Sequence, residues 1–157
     1  MVITCIFLLI SVFLEGIFLN IFKDITPFFV LAVILISSLD KENNKKYYIL
    51  LLITGIIYDL LYTNALFIHA YIFVLIGYLL NKKEIKSNNV FKLVGNYFFC
   101  LIIYTLLMIL FTFTYTKYTL NIIFNILFNG IIINLVYLLI IYIIYKLIGN
   151  RFKKKSY

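Results

Sequence analysis

Six apolar runs, separated by short linkers that hold most of the lysines, leave this chain few folds to choose from. The runs cover about residues 2–22, 25–39, 47–62, 65–80, 90–115 and 120–148. A helix that crosses a bilayer needs about 20 residues, within a range of about 17–25. The first, fifth and sixth runs meet that length. The second, third and fourth sit at or below its lower limit, which suits helices buried deep in a bundle or a locally thinned bilayer. Hydrophobic residues make up 65% of the 157 and charged residues only 13%, against about 25% charged in ordinary soluble domains. A soluble fold of this length has too little interior to hide so much apolar surface. The sequence therefore predicts an all-α integral membrane protein, a single domain built as a bundle of six transmembrane helices, with a basic tail over 149–157.

The net charge of +8 is distributed by topology. With six spans, the linkers at 40–46 and 81–92 and the tail from 146 fall on one side and hold twelve of the fourteen basic residues. Only Lys23 and Lys117 fall on the other. The positive-inside rule then puts both termini in the cytoplasm of a multi-pass membrane protein. Tyr47, Tyr48, Tyr78, Tyr142 and Tyr145 are expected near the inner interface, and Tyr62, Tyr115 and Tyr118 near the outer one, where tyrosine is enriched. This placement reads the basic excess as a topology signal and a contact for anionic lipid, with no nucleic-acid partner. Residues 1–14 contain no Lys or Arg, so the first run reads as a retained span and not as a signal peptide.

Little in the chain suggests catalysis. Cys5 and Cys100 each lie inside an apolar run, without a CxxC pattern or a nearby His, and read as small buried hydrophobes. The chain has one His, too few for an ordinary zinc site, so no metal and no cofactor are expected. No nucleophile, base and oxyanion donor assemble in the pattern, and the chain reads as a non-enzyme.

Three ionisable residues fall within the spans: Glu15, Asp59 and His69. Such residues are costly in a membrane and mark function by default. Spans three and four are joined by a tight turn around Asn64, so residues whose numbers sum to 128 lie at similar depth. Asp59 and His69 meet that condition, about 7–8 Å below the turn at 1.5 Å per residue. The spacing predicts an Asp–His hydrogen bond between two antiparallel helices. It either closes a helical hairpin or, with Glu15, forms a proton relay, a metal site or a ligand site. Gly55 and Phe73 also sum to 128, which suggests that the glycine receives the ring. In the last run, Asn121, Asn125 and Asn129 share one helix face and form a candidate seam or partner surface.

The middle of the chain resembles the bacterial rod shape-determining MreD family. The resemblance rests on the order and spacing of Thr26-Pro27, Gly55-Ile56-Ile57-Tyr58-Asp59, a tight turn, Ala65-Leu66-Phe67-Ile68-His69-Ala70 and Gly77-Tyr78-Leu79. Two positions depart from the family: Phe67 stands where Gly is common, and Phe28 where an acidic residue often follows the proline. The resemblance implies a bundle of five or six spans and a non-enzymatic scaffold of the cell-elongation machinery. Its implied partners are an MreC-like membrane-anchored protein, an MreB-like filament, and the glycosyltransferase and transpeptidase of lateral peptidoglycan synthesis. The residues so marked, Pro27, Gly55, Asp59, Asn64, His69 and Gly77, join Glu15 and the three asparagines as candidates for structural or partner contacts. The alternative is the substrate-binding membrane subunit of an energy-coupling factor transporter. The first span lacks the Ala-x-x-x-Ala stretch common in such subunits, since residues 2–22 contain no Ala.

Overall fold

A computed structural model describes residues 2–22, 26–39, 45–63, 67–82, 90–112 and 128–154, with backbone alone at 112 and 149–154. Six helices are present among them: α1 (Val2–Ile21), α2 (Phe29–Ser38), α3 (Lys45–Tyr62), α4 (Ile68–Lys82), α5 (Val90–Thr112) and α6 (Ile131–Lys154). The protein is all-helical. Three stretches are long and apolar enough to cross a membrane: Val2–Ile21, Val90–Phe111 and Ile131–Ile148. Their outward faces carry bare hydrocarbon, with Phe13, Ile102, Leu110 and Ile132 among the exposed side chains. That arrangement is stable against lipid tails and unstable against water.

The hydrophobic centre is α2. Every one of its ten residues is buried, as expected of a helix that is apolar all round. It packs against α1, α4, α5 and α6, while α3 pairs with α4 and α1. At 1.5 Å per residue α2 is about 15 Å long, half of a hydrocarbon core of about 30 Å. The second run, read as 25–39, is therefore only partly helical. Thr26, Pro27 and Phe28 precede the helix as non-helical backbone, so Pro27 stands one residue before the N-cap Phe28 and not in the first helical turn. Other bounds shift too. α3 starts two residues early at Lys45, α4 starts at Ile68, and α6 continues past 148 into the stretch read as a tail.

Cross-helix contacts fix the directions. Glu15 meets Val30 and Tyr62 meets Val12 near one end of the bundle. Near the other, Tyr47 meets Ile34 and Tyr48 meets Asn81. Successive helices thus alternate in direction. The described lysine side chains, Lys45, Lys46, Lys82, Lys92 and Lys146, all lie toward the second end. Tyr47 shares that end but is fully buried, its hydroxyl bonded to Ile34 O and Ser37 Oγ. The sequence puts its ring at the lipid interface; the structure turns it inward.

Candidate functional site

Glu15, Asp59 and His69, the buried acidic and imidazole side chains among the described residues, gather at the end of the bundle away from the lysines. The two carboxylates organise the contacts there. Asp59, three residues before the end of α3, is 1% exposed. Its Oδ2 accepts the backbone N–H of His69 at 3.0 Å. Its Oδ1 lies 2.6 Å from His69 Nδ1 and accepts the Thr63 hydroxyl at 3.0 Å. His69 Nε2 is 2.9 Å from the Tyr104 hydroxyl of α5. With Nδ1–H donated to the carboxylate, Nε2 is an acceptor and Tyr104 donates to it, a neutral-imidazole arrangement that satisfies all three groups. Tyr58 packs its ring 4.5 Å from the imidazole and closes the site on another side.

Glu15 is the second carboxylate, also 1% exposed. Its Oε1 accepts the N–H of Val30 at 2.7 Å, and the Tyr58 hydroxyl interacts with it from α3. It does not touch Asp59 or His69 in any described contact; Tyr58 and Tyr104 stand between. Val30 is the second residue of α2, and its N–H is one of the donors that no intrahelical carbonyl reaches. A carboxylate there also faces the positive end of the helix.

Near Glu15, two further side chains hold the non-helical backbone around Pro27 with three hydrogen bonds. Asn134 of α6 accepts the Phe28 N–H at Oδ1 (2.7 Å) and donates from Nδ2 to Thr26 O (3.2 Å). Tyr97 of α5 donates to Phe28 O at 2.9 Å. Non-helical backbone at membrane depth persists only where protein satisfies it, and these contacts do so. Gly130 makes room: a methyl there would lie 2.3 Å from Thr26 O.

Glycine serves the same end elsewhere. At Gly55 a methyl would meet Ala70 Cα at 2.2 Å, so α3 and α4 touch backbone to backbone. The sequence pairs Gly55 with Phe73; the structure pairs it with Ala70, and Phe73 lies against Tyr58 and His69 instead. Gly16 receives the Tyr62 ring, and Gly77 receives Leu51.

Of the remaining candidates, Asn64, Asn121 and Asn125 lie outside the described residues, and Asn129 is exposed. The residues that sequence reasoning misses are Asn134, Tyr97, Tyr104 and Gly130. Asn134 is the one polar residue in the apolar stretch 131–141, and that isolation was its only signal. Among the described residues no three His, Cys, Asp or Glu side chains come together as metal ligands. In the described contacts the groups of this polar centre bond to one another and to backbone.

A small all-helical membrane protein whose buried charges knit its own helices together is the class these features define. The family model described as rod shape-determining protein MreD matches residues 1–148, and the chain belongs to that family. Searches of curated proteins and of solved structures give no match.

Proposed function

We propose that this protein is a membrane scaffold subunit of the bacterial cell-elongation machinery. It spans the inner membrane six times with both termini in the cytoplasm. There it holds an MreC-like membrane-anchored protein, an MreB-like filament, and the glycosyltransferase and transpeptidase that extend the lateral wall. It has no chemistry of its own. The observation that carries the reading is the family match over residues 1–148. A polar centre whose groups pair with one another agrees with it, because a joint of this kind fixes helix positions and therefore the surfaces shown to partners.

Depletion in the source bacterium tests the role. The expected result is loss of rod shape, with an MreC-like protein co-purifying with the tagged chain. Normal shape combined with vitamin or metal uptake that depends on the chain would replace the scaffold by the transporter subunit. Cysteine labelling at Ser156 tests the topology; reaction from the periplasmic face would defeat the six-span arrangement.

A further inference from the structure

Five glycines have described surroundings, and four of them explain themselves. Gly16, Gly55, Gly77 and Gly130 each sit where another part of the chain comes too close for a Cβ. Gly95 does not: a methyl there would meet nothing within 4 Å. Glycine inside a helix costs about 0.5–1 kcal/mol relative to alanine, and no internal contact of α5 offsets that cost at Gly95. The residue opens a notch on the outer face of the helix.

Lys92, Gly95, Asn96 and Phe99 follow the i, i+3, i+4, i+7 spacing of a single helix stripe. Lys92 and Gly95 are exposed, Asn96 is half-buried and Phe99 is 37% exposed. Neither the Lys92 nor the Asn96 side chain makes a hydrogen bond or ion pair with the described residues. An asparagine in a span normally finds a partner, since an unpaired amide in hydrocarbon is costly. The stripe starts in the first turn of a 23-residue helix, whose N-terminal N–H groups favour an anion. It also lies at the end of the bundle where the described lysines collect.

We propose that this stripe is a binding site for an anionic phospholipid. The Lys92 ammonium pairs with the lipid phosphate at the membrane surface. Asn96 lies about 6 Å deeper along the helix. Its amide N–H groups donate to the glycerol ester carbonyls, which sit below the phosphate in the bilayer. The Gly95 notch admits the start of an acyl chain, and Phe99 lies beside that chain. Charge decides the occupant: a purely apolar partner helix leaves Lys92 unanswered, while an anionic phospholipid answers Lys92 and the helix terminus with its phosphate and Asn96 with its ester carbonyls. The proposal rests on the membrane location of the chain and not on its role in cell elongation.

The chain has no tryptophan, so Phe99→Trp installs a single fluorescent reporter on the stripe. The full chain is reconstituted in bilayers that contain brominated phosphatidylglycerol or brominated phosphatidylcholine, and quenching is compared. The expected preference for the anionic lipid is about fivefold, the fold-change that corresponds to about 1 kcal/mol for a basic residue at an anionic surface. Lys92→Gln should bring the ratio near one, and Asn96→Leu should lower it. Lys146→Gln, an exposed lysine on α6, should leave it unchanged. Equal quenching by the two lipids overturns the site. An equal loss in the Lys92 and Lys146 variants overturns it too, by showing diffuse surface charge. Protection of the tryptophan from both lipids also overturns it and assigns the face to a protein partner.

Discussion

The α1–α2 and α3–α4 junctions solve the same problem with different amounts of help. In each, a carboxylate from the odd helix accepts the N–H of the second residue of the even helix: Glu15 to Val30, and Asp59 to His69. A helix that begins inside a bundle must satisfy donors that have no carbonyl partner and no water, and an acceptor carried on the preceding helix does so. At α3–α4 nearly everything is local. Asp59, Thr63 and His69 lie within ten residues of one another, Gly55 lets Ala70 approach, and only Tyr104 comes from afar. At α1–α2 the chain enters through non-helical backbone at Pro27, and Tyr97 and Asn134 must arrive from 69 to 108 residues away to complete it. The first joint can form as a hairpin; the second exists only once the bundle is assembled.

The largest effect expected is at Asp59. Asp59→Ala leaves the His69 N–H and the imidazole without their shared acceptor, while the Thr63 hydroxyl keeps the Asp59 carbonyl. Each buried donor left without a partner costs about 1–3 kcal/mol. Reversible unfolding in mixed micelles should show that loss, and a value under about 1 kcal/mol would end the view of Asp59 as a joint.

Asn134→Leu asks how far the α1–α2 joint depends on distant helices. It strips partners from Phe28 N–H and Thr26 O, at about 1–3 kcal/mol for each buried group left unsatisfied. Protease accessibility of the α1–α2 connection should rise while the α3–α4 connection stays protected. Equal exposure of both would show that the two joints are one cooperative unit.

Amide substitutions separate the two carboxylates. Both oxygens of Asp59 accept described hydrogen bonds, and Asn offers only one acceptor, so Asp59→Asn should cost about 2 kcal/mol through a donor facing a donor. Glu15 accepts one backbone N–H at Oε1, and the Tyr58 hydroxyl can reverse to accept from an amide. Glu15→Gln should therefore cost under about 1 kcal/mol. The reverse order in the same unfolding assay would show that ionisation of Glu15, and not its hydrogen bonding, holds α2.

The smallest effect should be a gain. Phe67 has φ of 71° and is 60% exposed, a left-handed conformation that a bulky side chain adopts only under strain. Phe67→Gly should raise stability by about 1 kcal/mol, read as a higher melting temperature. No gain would place a compensating contact for the ring outside the described chain.

Legibility in the sequence followed chain distance. The Asp59–His69 contact could be read because a tight turn makes depth a matter of arithmetic. Even there the arithmetic gave depth and not rotation, and so it paired Gly55 with Phe73 where the structure has Ala70. Glu15 stood out as a charge in an apolar run, but its partner is a backbone N–H, which every residue carries and no side chain announces. The regular spacing of Asn121, Asn125 and Asn129 points away from the isolated Asn134, yet Asn129 is exposed and Asn134 is 1% exposed.

What the sequence alone determined was the solvent and the class of fold. Transfer of long apolar runs to lipid is a property of composition and length, and helix is the form in which an isolated run satisfies its own backbone. The spacing of a few residues in the middle was enough to suggest the family. Tertiary structure decided that α2 is a half-length helix at the centre of the bundle and that Pro27 lies before it. It also decided that Glu15, Tyr97 and Asn134 converge on the same few backbone groups. Those are meetings between distant parts of the chain at particular helix rotations, and one-dimensional periodicity carries depth along a helix but not the direction in which each helix turns its face.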